Sequence, residues 1–454
     1  MGRPLGSGSE PPHDVILARP GKALPGGAMQ NDQTPRRGIM FAALRHRDFR
    51  LFWIGIVLSG FGTSFTQLAM QWQMYEMTGS ALQLGLLGLV RAVPSMVVLL
   101  FGGLLADAMD RRRLMMRTQV AQLGISVALL ALALGDGLSP WVFYVTSALL
   151  ALFNALESPA RNAMVPNMVP AEDLTNAFAL NSSQRAIAQI AGPPLAGIVL
   201  AAFGPAANYG VNAASWLAMV GALLAIKPVS QEIVGRRAVS LGALREGFSY
   251  VWAHPLLMMM MLLDFGQNIF GNGRALLPIY ASDILHVGPQ GFGILSAANS
   301  IGAITTAGAM SAYGRVRRAG IGVLITILIY GVSSALFAYS QIFWLSAALL
   351  FVQGAANGVS TVLRTTILQL NIPDALRGRV TSVNMVFTNG GPQLGIFRVG
   401  AMGQWTGPEM SIFAGALALI GMVGAIGAAV PMVRRFEIAE DSYGTSTRRP
   451  STAE

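Results

Sequence analysis

Two carboxylates stand inside otherwise apolar stretches of this chain, Glu157 and Asp264. An ionisable group surrounded by hydrocarbon is expensive unless it faces a cavity or finds a partner, so each marks a candidate site. A carboxylate held in such a place can take up and release a proton as its surroundings change. Glu157 lies one helical turn before Arg161, which puts the two on one helix face as a possible ion pair. Asp264 sits about eight residues into its apolar stretch, ~12 Å by helical rise, deeper than a loop charge reaches. Asp264, Glu157 and Arg161 are the proton-coupling candidates, with Asp264 first.

Four arginines share these stretches. Arg91 is near the middle of its stretch, too deep to reach a water interface easily, and Arg185 is also internal. Arg274 and Arg398 are nearer the ends, where a long side chain is expected to snorkel outward. Four cations against two acids predict a basic interior, suited to an anionic or hydrogen-bond-rich small molecule. Amides recur one helical turn apart at Gln67 and Gln71, at Asn268 and Asn272, and at Gln353 and Asn357. Gln67, Gln71, Arg91, Arg185, Asn268, Asn272, Gln353 and Asn357 are the expected cavity contacts.

Other chemistries find little to work with. There is no cysteine, and His13, His46, His254 and His286 all lie outside the apolar stretches. That argues against a disulfide, a thiolate nucleophile or a Cys/His metal centre, so no metal and no cofactor are expected. A phosphate-cradling G-x-x-x-x-G-K-[ST] loop is absent, which leaves an ion gradient, the proton gradient first, as the energy source. With no nucleophile–base arrangement, an enzyme is not expected. The formal charge of +10 falls in short alternate loops rather than in a basic patch interleaved with aromatics, so the expected partner is a lipid bilayer and not nucleic acid.

The elements that hold these residues are long apolar helices. Hydrophobic residues make up 53% of the 454 positions and charged residues 11%, with a mean hydropathy of +0.54. Such a balance predicts an all-α polytopic membrane protein. Twelve stretches are long enough to span a bilayer, at roughly 51–76, 82–106, 114–134, 141–161, 176–203, 208–227, 256–280, 290–312, 320–339, 342–364, 379–403 and 411–433. Loops near 77–81, 135–140, 204–207, 281–289 and 404–410 carry no Lys or Arg, whereas the alternate loops are arginine-rich. By the positive-inside rule both termini are cytoplasmic, in a bacterial inner membrane.

The organisation expected is a disordered tail over 1–40, a six-helix bundle over 41–227, a cytoplasmic loop over 228–254, a second six-helix bundle over 255–434 and a tail over 435–454. The two bundles read as repeats. Phe61-Gly62 returns as Phe265-Gly266, Gly103 with Arg112-Arg113 returns as Gly308 with Arg317-Arg318, and Arg161 with Pro170 and Asn181 returns as Arg364 with Pro373 and Asn384. The spacing is about 204 residues each time.

Two local motifs add to this. Gly103 and Asp107 precede Asp110-Arg111-Arg112-Arg113, which resembles the loop motif of the major facilitator superfamily. The resemblance implies an inner gate formed by Gly103, Asp107, Asp110, Arg111, Arg112 and Arg113. Gly192-Pro193-Pro194 with Gly197 is similar to a kink motif in the fifth helix of drug-antiporter members. Over residues 41–434 the chain resembles the drug-proton antiporter branch that includes enterobactin (siderophore) exporters and macrolide efflux proteins, through Leu44–Trp53, Asp110–Leu114 and Gly391–Gly395. Related sequences often carry an acid shortly after that last glycine, where this chain has Ile396 and Arg398.

The resemblance implies the major facilitator fold and export of a siderophore or drug-like small molecule by a monomer, through proton antiport and alternating access. The alternatives are a lipid or lysolipid transporter on the same scaffold and a non-transporting membrane receptor or scaffold.

Overall fold

The computed structural model describes residues 41–108, 110–226, 241–313, 316–373 and 376–437; the side chains of 99–108, 241, 243, 244 and 311–313 also lie outside the description. The expected tail over 1–40, the expected tail over 435–454 beyond Glu437, and the arginines of 227–240 are therefore not among the described residues. What is described is nearly all helix, with no strand.

In chain order the helices are α1 (Arg47–Thr78), α2 (Ala81–Ala108), α3 (Arg111–Leu134), α4 (Pro140–Met164), α5 (Leu174–Ala225), α6 (Leu241–Ala253), α7 (Pro255–Gly271), α8 (Leu277–Ile279), α9 (Gly288–Tyr313), α10 (Ala319–Ala338), α11 (Phe343–Asn371), α12 (Arg377–Thr406), α13 (Pro408–Ala429) and α14 (Pro431–Arg435). Eight of them are long and apolar enough to cross a membrane, and α6 with α7 adds a ninth as a bent pair. At 52 residues α5 is far longer than one crossing requires, and its backbone leaves helical geometry at Gly204, with φ 76° and ψ 178°. Only glycine adopts that conformation cheaply, so the break between the two helical segments falls there and not at Pro193-Pro194.

Two other segments depart from expectation. The end of the stretch expected as a loop, Leu241–Ala253, forms helix α6, which meets the following segment at 107°. The seventh apolar stretch breaks at Asn272 and Gly273 before a short 3-10 turn at Arg274–Leu276.

Helix α1 packs along α5, α2 along α12, α5 against α9, and α9 along α11. These contacts are close because small residues line them. A methyl group on Gly400 would sit 2.5 Å from the Gly85 Cα, and one on Gly293 would sit 2.4 Å from the Pro193 carbonyl oxygen. The proline motif of α5 is thus a backbone contact with α9. Helices α10 and α13 carry exposed apolar residues such as Ile325, Ile329, Leu336 and Leu417, as lipid-facing helices do.

The buried residues form three cores. One contains Trp72 and Leu84 together with Leu276, Tyr280 and Phe292, so both halves of the chain share it. The second is confined to residues 251–433 and the third to residues 43–226. The two chain halves are therefore fused at one end and separately packed at the other.

Candidate functional site

A cavity of about 1100 Å³ lies between α1, α2, α4 and α5 on one side and α12 with Arg274 on the other. At the end of the shared core its wall is closed by buried Met70, Leu84 and Leu87. Towards the other end its lining becomes exposed, at Asn154, Pro159, Asn162, Arg185, Met385 and Asn389. It thus opens at the end where α4 finishes and α5 and α12 begin.

The closed end is also latched by polar contacts between the halves. The Tyr75 hydroxyl donates to Asp283. Gln404 Oε1 accepts from the Ser80 hydroxyl at 2.7 Å and from the Leu82 N–H at 3.2 Å, supplying one of the unpaired donors at the start of α2. Trp72 stacks on Phe292 with ring centroids 6.1 Å apart.

Of the expected cavity contacts, Gln67, Gln71, Arg91 and Arg185 line the cavity. Asn268, Asn272, Gln353 and Asn357 are not among its lining residues. Their helices α7 and α11 pack into the C-terminal half, and their amides bond there. Asn357 Oδ1 accepts from Gln267 at 3.0 Å, Asn268 donates to the Asp264 backbone carbonyl at 2.9 Å, and Asn272 donates to the Pro392 carbonyl at 3.4 Å. Gln353 is buried, and its amide nitrogen has no partner.

The expectation of snorkelling fails for both terminal arginines. Arg398 turns inward to donate to the carbonyls of Ile269 and Phe270, at 2.9 and 3.2 Å, near the broken end of α7. Such carbonyls lack helical partners and attract a cation. Arg274 lines the cavity and donates to the Asn299 side chain. The break at Asn272–Gly273 redirects the chain and makes this possible; its signal in the sequence is the turn-forming run Gly271-Asn272-Gly273.

Neither candidate carboxylate lines the cavity. Asp264 pairs with Arg364 of α11 at 2.8 Å, the arginine side chain being 5% exposed and the carboxylate 15%. Arg364 also donates to Gln267 at 2.9 Å, which extends the network to Asn357. Thr388 donates to the second Asp264 oxygen at 3.2 Å, one residue from the cavity-lining Asn389. Glu157, buried in α4, is 3.9 Å from Arg161 and accepts from Gln122 at 3.0 Å. Gln122 in turn accepts from cavity-lining Asn154 at 3.4 Å. Each carboxylate is therefore one hydrogen-bonded residue behind the cavity wall.

Sequence reasoning used Arg364 only as a mark of the repeat. The signal was its correspondence to Arg161, since an arginine at the same place in both halves of an apolar chain needs a partner in each.

Part of the inner-gate motif is described. Asp110 caps α3, accepting from the Arg113 N–H at 2.9 Å, and Arg112 donates to the Leu223 and Ile226 carbonyls at the end of α5. The Gly103 and Asp107 side-chain positions lie outside the described residues. Among the described residues no group of three or more metal-ligating side chains converges.

A bundle of apolar helices enclosing a cavity that is shut at one end and carries arginines and amides among apolar side chains defines a polytopic membrane transporter. The chain belongs to the transmembrane secretion effector family of the major facilitator superfamily, whose profile matches residues 39–448. Among its relatives are the multidrug efflux pump Tap of Mycolicibacterium fortuitum, 24% identical over 84% of this chain and 95% of that protein, and the enterobactin exporter EntS of Shigella boydii, 27% identical over 83% and 90%. Solved structures with this fold include the nucleoside transporter NupG, with a TM-score of 0.66, 14% identity and coverage of 84% of this chain and 98% of that one. A bacterial homologue of the iron transporter ferroportin, in an inward-facing state, gives 0.66 and 13% over 86% and 99%.

Proposed function

We propose that this chain is a secondary active exporter of a small organic molecule, siderophore-like or drug-like, driven by proton antiport through alternating access. The observation that carries the reading is a cavity between the two chain halves, shut at one end and set with arginines and amides among apolar side chains, with a paired carboxylate one hydrogen-bonded residue behind each wall. Substrate entering the cavity meets Asn154 and Asn389, whose neighbours hold Glu157 and Asp264, so binding and protonation have a short physical route to one another. The efflux proteins among its relatives support export over uptake.

Counting α5 as two crossings at Gly204, α7 with α8 as one, and α9 and α12 as crossings whose polar residues face inward, the chain has twelve spans in two six-helix repeats. The arginines at Arg111–Arg113, Arg317, Arg318, Arg377 and Arg379 gather at the open end of the cavity, which by the positive-inside rule is cytoplasmic. On that reading the protein sits in a bacterial inner membrane, faces inward and has both termini in the cytoplasm.

The test is reconstitution in liposomes with an imposed pH gradient and a panel of siderophores, macrolides and lysolipids. Gradient-dependent movement of a siderophore or macrolide is the expected result. Lysolipid movement indifferent to the gradient would overturn proton-coupled export and assign the lipid alternative.

A further inference from the structure

The arginines inside the helical bundle fall into two groups. Arg161, Arg364 and Arg398 lie behind the cavity walls, and each has an oxygen partner: Glu157, Asp264 and the carbonyls of Ile269 and Phe270. Arg91, Arg185 and Arg274 line the cavity. Among the described residues no carboxylate lines it with them, and none of the three pairs with a carboxylate elsewhere. Arg274 has a neutral amide oxygen, from Asn299, and Arg91 and Arg185 have no side-chain hydrogen bond there.

A guanidinium without a carboxylate partner is kept within a bundle only where water or a ligand reaches it, and Arg185 and Arg274 are exposed to the cavity while Arg91 is half-buried. This fold supplies a carboxylate or a set of carbonyls wherever an arginine has a purely structural place. Where it supplies none, the missing counter-charge is left to a ligand. Arg91 is on α2 and Arg185 on α5, both in the wall contributed by the N-terminal half, whereas Arg274 belongs to the C-terminal half. Between them the lining is apolar at Met96, Leu150, Trp216 and Ile396 and amide-rich at Gln71 and Gln393.

We propose that the cavity is a binding site for organic polyanions: molecules with an apolar or aromatic core and at least two acidic groups, one held at the N-terminal wall that carries Arg91 and Arg185 and another by Arg274. Planar guanidinium groups suit carboxylates and other bidentate oxyanions. A ligand so held bridges the two halves and replaces the Asn299 contact of Arg274. A monoanion satisfies one wall only, and an organic cation meets three like charges. This names the substrate class of the exporter reading above and rests on that reading for transport, though not for binding.

The experiment is equilibrium binding to the purified full chain in detergent, read by isothermal titration calorimetry and by a thermal shift. The probes are benzoate, isophthalate and benzene-1,3,5-tricarboxylate, with tetraphenylphosphonium as the cation. The expected result is affinity rising at least tenfold from one acidic group to two, and falling at least tenfold for isophthalate in both Arg91→Gln and Arg274→Gln. Benzoate should weaken strongly in only one of those variants. Equal affinity for benzoate and isophthalate, or stronger binding of tetraphenylphosphonium, overturns the proposal. Should a glutamine variant misfold, Arg91→Lys and Arg274→Lys keep the charge without the fork, and must still favour isophthalate over tetraphenylphosphonium. Polyanion binding without transport in liposomes would sink the exporter reading and leave this site standing. Gradient-driven transport confined to cations would do the reverse.

Discussion

The carboxylate of Asp264 on α7 meets the guanidinium of Arg364 on α11 at 2.8 Å, while Glu157 and Arg161, neighbours on one helix, are 3.9 Å apart. The two halves thus keep an arginine at corresponding places but draw its acid from different sources. In the C-terminal half the pair joins two helices, so a change in its charge bears on how they pack.

Asp264→Asn leaves the Arg364 charge buried without a counter-charge. Breaking one side of such a pair costs about 3 kcal/mol, so a clear drop in the thermal midpoint in detergent is expected. Gradient-driven export in liposomes should fall at least tenfold. Adding Arg364→Gln should restore much of the stability but not the coupling.

Glu157→Gln is expected to be milder. The contact with Arg161 is long, and a glutamine can still bond Gln122. Stability should fall by about 1 kcal/mol, with gradient dependence retained. A loss of coupling equal to that of Asp264→Asn would show that both carboxylates carry protons.

Gln404→Ala removes the acceptor that ties the start of α2 to α12. Two lost hydrogen bonds at about 1 kcal/mol each favour states in which the closed end has parted. Because the chain has no cysteine, Gln71→Cys gives a single reporter. Its labelling by a membrane-impermeant maleimide, added from the closed side, should rise several-fold in the Gln404→Ala background.

Glycine substitutions should divide sharply. A methyl group on Gly354 would lie 1.8 Å from the Asn299 carbonyl oxygen, so Gly354→Ala must force α9 and α11 apart. That variant should express poorly or melt well below the parent. Nothing lies within 4 Å of the same position on Gly124 or Gly421, both within helices. Alanine there should be neutral or stabilise by up to about 1 kcal/mol, as thermal melts would report.

The sequence by itself determined the material of this protein. Apolar stretches of membrane length, an arginine bias in alternate loops and the Gly103–Arg113 motif made a helical membrane transporter legible, because burying backbone in lipid leaves helices and closed barrels as the only options. It also marked Gln67, Gln71, Arg91 and Arg185, which line the cavity, since a polar group deep in an apolar stretch needs a reason to be there. Only the tertiary structure decided which way each helix face turns. Asn268, Asn272, Gln353 and Asn357 carry the same spacing as Gln67 and Gln71, yet they pack into the C-terminal half. Arg274 reaches the cavity and Arg398 the end of α7 because the seventh stretch breaks at Gly273. Arg364 and Asp264 are 100 residues apart in sequence, and only the packing of α7 on α11 makes them a pair. Hydropathy and spacing fix what a helix is made of, but the partner of a buried charge is chosen by contacts between helices, and those are distant in the chain.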